Sequence, residues 1–147
     1  MARTASSHLG PVADVDMEGD VHYSSTSGLI FGPKRPVTVH TASYTLTAHD
    51  SGGVHVMNSA DKVFTLPATV EGLEYILVTG ATSTTTGLSV SPAAADKLIG
   101  NAFTATDNKD AINTQATEKV GDCIQVVGDG SDGWYIVNVV GTWARQA

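Results

Sequence analysis

Cys123-Ile124-Gln125-Val126-Val127-Gly128-Asp129-Gly130-Ser131-Asp132-Gly133-Trp134-Tyr135-Ile136-Val137-Asn138-Val139-Val140 carries the strongest structural signal in the chain. Two runs rich in β-branched and aromatic residues flank a Gly/Asp turn, the pattern of a β-hairpin. Side chains alternate across a strand, so Trp134, Ile136 and Asn138 share one face, with Tyr135, Val137 and Val139 on the other. The tryptophan face is expected in the core. Cys123 is the only cysteine, which leaves no intramolecular disulfide framework and no cysteine-based metal site. Its apolar run is read as holding a buried structural thiol.

Upstream, shorter segments repeat the texture of that hairpin. Val37–His40, Tyr44–Thr47, Val54–Met57, Val63–Leu66 and Leu88–Ser91 read as strands, separated by turn signals such as Asp50-Ser51-Gly52-Gly53. Tyr75–Thr79 is continuously apolar and is read as buried on both faces. Residues 102–120 are the least regular; Asp107 stands where a helix cap would, but Thr and Asn dominate, so extended or irregular structure is expected. Closely spaced strands without helices between them imply an all-β fold, a sandwich or jelly-roll-like barrel of short antiparallel strands. No repeat of fixed period is visible.

The bulk composition agrees. The chain has 147 residues, enough for one domain with an ordinary core. Charged residues make up only 16% while glycine, threonine and serine abound, which favours strands and turns over surface helices. Residues 1–36 differ, being rich in Ser, Gly, Pro and Asp, and read as an N-terminal arm with a small hairpin. Residues 37–147 read as the β domain. The net charge of −7 and the absence of any basic cluster argue against nucleic acid as a partner. The acidity is read as a source of solubility. No apolar run is long enough for a membrane-spanning helix, and no secretory signal is expected at the start.

Little in the sequence points to catalysis. His8, His22, His40, His49 and His55 have no metal-motif spacing, and exposed or cross-strand positions are expected for them. There is no Gly-x-Ser-x-Gly elbow and no phosphate loop. A non-enzymatic protein without a cofactor is the expectation. One acidic run stands out: Asp14-Val15-Asp16-Met17-Glu18-Gly19-Asp20 opens like a calcium loop, but Ser25 occupies the twelfth position, where a bidentate Glu belongs. Asp14, Asp16 and Glu18 are therefore calcium candidates, or else part of a solvated or partner-facing stripe.

Two stretches resemble phage virion proteins. Gly19-Asp20-Val21-His22-Tyr23 through Gly28-Leu29-Ile30-Phe31-Gly32-Pro33-Lys34 is similar to a short module of tail fibres. Residues 37–140 resemble a β domain of head-decoration (capsid cement) and fibre proteins. The resemblance is carried by Tyr44–Gly52, Phe64-Thr65-Leu66-Pro67, Gly121-Asp122 and the final hairpin. It implies a homotrimer at the virion surface, made in the host cytoplasm, with the major capsid protein as partner and no catalytic residues to carry over. A compact domain with a short arm suits capsid decoration; a small tail-fibre or receptor-binding module is the alternative, and a carbohydrate-binding module comes third. Fully extended, residues 1–18 reach about 60 Å. Leu9, Pro11, Val12 and Val15 are their apolar contact candidates for the shell or a neighbouring subunit.

The calcium candidates yield a simple expectation. If Asp14, Asp16 and Glu18 hold the ion, a chelator lowers the melting temperature of the calcium-loaded protein. An unchanged melting curve leaves the acids as a stripe facing solvent or a partner.

Overall fold

The computed structural model describes residues 14–15, 21–22, 35–100 and 103–147. The chain divides into two compact units, Met1–Lys34 and Arg35–Ala147. In the first, β1 (Asp14–Val15) pairs antiparallel with β2 (Val21–His22), Asp14 opposite His22 and Val15 opposite Val21. Of the small hairpin read within residues 19–34, only Val21 and His22 are among the described residues.

The second unit is all-β, with two sheets whose core-facing side chains meet between them. Its strands are β3 (Val37–His40), β4 (Tyr44–Thr45), β5 (Val54–Met57), β6 (Val63–Thr65), β7 (Glu74–Thr79) and β8 (Ser89–Ser91). They are followed by β9 (Lys97–Ile99), β10 (Ala111–Asn113), β11 (Cys123–Gly128), β12 (Gly133–Val140) and β13 (Trp143–Arg145). One sheet runs β3-β5-β7-β11-β12-β9 and the other β13-β10-β8-β6-β4.

The order of those strands corrects the antiparallel expectation. From β3 to β8 the chain changes sheet at every strand, so β3, β5 and β7 stack in parallel in one sheet while β4, β6 and β8 do so in the other. Each strand of one sheet is part of the crossover that a parallel pair in the other requires. The result is a wound, two-sided coil, closed by antiparallel additions: β10 on β8, β11 on β7, β12 on β11 and β13 on β10. A final parallel pair joins β9 to β12. Register rows such as Val37–Val54–Ile76 and Tyr44–Phe64–Val90 are unevenly spaced in sequence, which is why no period is visible.

The irregular region 102–120 contains β10 and no helix among its described residues; Asp107 bridges to Lys97 instead of capping one. Strands β9 and β13 have no counterpart in the sequence reading, and β10 lies in the region expected to be extended or irregular.

Inside, Leu46, Met57, Phe64, Leu66, Tyr75, Leu77, Val90, Ile124, Val126 and Trp134 are almost fully buried. Trp134 packs against Tyr75 with ring centroids 5.4 Å apart. Ile136 lies against the same core, as the face assignment expects, but Asn138 is exposed. The cause is a bulge: Gln125 pairs with Asn138 and Val126 with Ile136, leaving Val137 unpaired and shifting the alternation beyond it.

Carboxylates fasten the corners. Glu118, itself buried, accepts hydrogen bonds from the Ser83 amide and, at 2.9 Å, from the Leu88 amide. Asp61 gathers the amides of Thr84, Thr85 and Thr86 and the Thr84 hydroxyl, and these donors hold its pKa well below the ordinary carboxylate range. Asp129 does the same within its own hairpin turn, with the Ser131, Asp132 and Gly133 amides. Much of the acidity read as solubility is thus built into the loops.

Two expectations follow. Trp134→Ala costs about 3–5 kcal/mol in chemical denaturation. Trp134→Phe costs clearly less, because the indole N–H is buried without a partner and its removal strands nothing. Glu118→Ala leaves two corner amides without an acceptor, at about 1–3 kcal/mol for each that stays buried, and a melting temperature within a degree of wild type would contradict that role.

Candidate functional site

β7 reads as continuously apolar, yet only Tyr75, Leu77 and Thr79 are buried; Ile76 and Val78 point away from the core. Both are half-buried on the outer face, over which this unit lays no second sheet. The same holds across the six-stranded sheet, whose outer face is assembled from residues out of phase with the core. Val39, Val56, Val78, Cys123 and Val140 form one row through the register. Val37, Val54, Ile76, Gln125 and Asn138 form the next, and Glu74, Val127, Tyr135 and Ile99 a third. Val37 is 64% exposed, Val39 59%, Val137 56% and Tyr135 50%. β-branched side chains suit a pleated surface, but a strand with one wet face normally alternates with polar residues there.

Charge on this face is confined to its margins. Glu74 forms an ion pair with Arg35 at 3.0 Å and accepts from the Gln125 amide group at 2.7 Å. At the opposite margin Lys97 pairs with Asp132 and Asp107. The middle row contains only Gln125 and Asn138 as polar groups, and the Val39–Val140 row none.

Cys123 belongs to that last row. It is half-buried on the outer face, whereas its neighbours Ile124 and Val126 enter the core, so it is not the core thiol expected from its run. Burial first, and then the charge of Asp122, push its pKa up, so the thiol stays protonated and a poor nucleophile at neutral pH.

Beside this face lies an open groove of about 450 Å³ with a mixed lining, bounded by Phe103, Ile136, Val137, Asn138, Val139, Thr142 and Trp143. The Trp143 indole donates to the Val140 carbonyl at 3.0 Å, which fixes one wall.

The histidines are arranged differently. His40 at the end of β3 and His55 in β5 are both buried, with His40 Nε2 and His55 Nδ1 3.2 Å apart. His55 Nε2 lies 3.0 Å from the Asp50 carbonyl, and the Tyr44 ring stacks on His40 at 4.2 Å. His49 and Asp50 are adjacent in the sequence. The fold puts that dipeptide in a 3-10 turn (Ala48–Asp50) and turns Asp50 towards His55. The cross-strand placement of two histidines was an expected position; their meeting was not, since it depends on parallel register between β3 and β5. No group of three or more metal-ligating side chains converges among the described residues.

Of the arm residues, Leu9, Pro11 and Val12 lie outside the described residues, as do Asp16 and Glu18 of the calcium candidates. Asp14 and Val15 belong to β1. The outer valine face escaped the sequence reading because its members come from five separate strands and each looks like core. No family model matches the chain, and no curated protein matches it either.

Proposed function

We propose that the chain is a structural module of a phage virion that decorates the capsid shell as a homotrimer and acts through docking surfaces. The carrying observation is the outer face of the six-stranded sheet: two adjacent rows of mostly apolar side chains with no charge in them. Six strands at about 4.8 Å spacing and three outward rows about 6.8 Å apart make a face of roughly 25 by 15 Å. Apolar patches of this size are in the range of the largest on a typical soluble monomer and are often functional. Because its charges are paired at the margins, an acidic chain meets little repulsion when it approaches a copy of itself there.

The virion assignment rests on the resemblance of residues 19–34 and 37–140 to decoration and fibre proteins. Within it, the outer face serves contact between copies, and the arm, through Leu9, Pro11, Val12 and Val15, reaches the major capsid protein. A fastened, two-sheet core suits a part whose task is to hold its shape. A small tail-fibre or receptor-binding module is the competing assignment, and copy number separates the two.

The expected result is a trimer by light scattering that Val37→Glu/Val39→Glu converts to monomer with an unchanged far-ultraviolet circular dichroism spectrum. Both valines are exposed on an edge strand, so the substitutions spare the core. In purified virions the chain should be present in hundreds of copies and should rebind undecorated shells, and deleting residues 1–18 should abolish that binding. A few copies per particle, with binding to host cells and none to shells, would overturn decoration in favour of the fibre reading.

A further inference from the structure

β3 is an edge strand of four residues, and three of them, Val37, Thr38 and Val39, are exposed. His40 is its only buried side chain. Besides its backbone ladder to β5, the strand is therefore anchored to the core by one imidazole. That ring sits between Tyr44, stacked at 4.2 Å, and Phe64, edge-on at 5.4 Å, and it bonds to His55.

The hydrogen bonds have a fixed direction. A backbone carbonyl can only accept, so His55 carries its proton on Nε2, donates to the Asp50 carbonyl and presents a bare Nδ1. His40 must then donate from its own Nε2 into that Nδ1. One added proton leaves a bond in place, because the charged ring donates to the bare nitrogen of its neutral neighbour; only when both rings are charged do two N–H groups face each other at 3.2 Å. A proton on His40 charges a ring enclosed by aromatic surfaces. Gly53 permits the arrangement, since a Cβ there would lie 3.0 Å from both His55 Nε2 and the Asp50 carbonyl.

We propose that the His40–His55 pair is an acid-released latch, and that mild acidification frees β3 and uncovers the edge of β5. The groups facing the pair leave this direction intact. The Asp50 carboxylate favours one added proton, but donation from the Thr47 amide and hydroxyl ties it to its own turn. Burial pushes Tyr75 up to about 12, so its hydroxyl stays neutral across the range concerned. Phe64 contributes no charge.

Burial first, and repulsion from His55 second, lower the pKa of His40, while Asp50 works against them. The folded strand thus resists a proton that the released strand accepts near the ordinary imidazole value of about 6.5. Stability from this source is complete above that value and is lost as pH falls through the lowered folded pKa. Once free, β3 exposes the unpaired N–H and C=O groups of β5, an edge able to accept another strand. The latch does not rest on what the outer face binds, although release of β3 also withdraws Val37 and Val39 from that face.

The experiment is amide exchange of the full-length protein at pH 7.5 and pH 5, corrected for intrinsic rates, with Leu77 and Ile124 as internal references. Protection of Val39 and His40 relative to the references should fall about tenfold, the equivalent of one pKa unit. In His40→Phe, which keeps the aromatic packing and cannot titrate, relative protection should not change. An equal loss in that variant, or no selective loss in wild type, overturns the latch. If His40→Phe does not fold, ring-proton NMR of the wild type decides. The His40 ring and the β3 amides should share one titration midpoint, and separate midpoints refute the proposal.

Discussion

A chain that changes sheet at nearly every strand turns many corners, and at each corner backbone amides leave the ladder without a partner. An amide left buried and unpaired costs as much as a lost hydrogen bond. Here side-chain carboxylates accept those protons: Glu118 for Ser83 and Leu88, Asp61 for Thr84, Thr85 and Thr86, Asp96 for Thr69, and Asp129 within its own turn. One carboxylate accepts several amides at once, and charge-assisted bonds are stronger than neutral ones. The winding depends on these contacts, because most of its strands are short and offer few ladder bonds with which to absorb a loss elsewhere. Where a corner passes too close for any side chain, glycine stands. At Gly87, with φ +93°, a Cβ would fall 1.9 Å from the Asn113 carbonyl oxygen.

This economy of acids bears on function. Many of the carboxylates are committed to loops, where their hydrogen bonds keep them ionised, so they fasten the fold while still contributing to the net charge of −7. The broad face of the six-stranded sheet is the opposite of an acidic surface. Its valines obey the same alternation that fills the core, but on the side that no second sheet covers. Apolar side chains on the second face of one sheet stay partly in water, and removing them from it is the driving force the proposed association would use.

The His40–His55 pair shows how a local contact can govern an edge. Edge strands are managed in proteins by charge, by bulges or by covering. In this chain β3 is the cover for β5, and its anchor in the core is titratable. Asp50, Gly53 and the two rings lie within one short stretch of sequence, yet their chemistry arises only when parallel register sets β3 beside β5.

Period-two alternation and Gly/Asp turns already determine an all-β chain, with the last hairpin and the Trp134 side of β12 in place. Those signals are local: each depends on a few consecutive residues and the geometry of one strand. The direction of pairing is not local. A strand reads the same whether its neighbour runs with it or against it, so only the tertiary structure could make β3, β5 and β7 parallel. Likewise Ile76, Val78 and Cys123 look like core in sequence, because apolar alternation says which residues share a face and not whether anything lies over it. The outer valine face and the histidine pair were decided there, by strands distant in sequence becoming neighbours in a sheet.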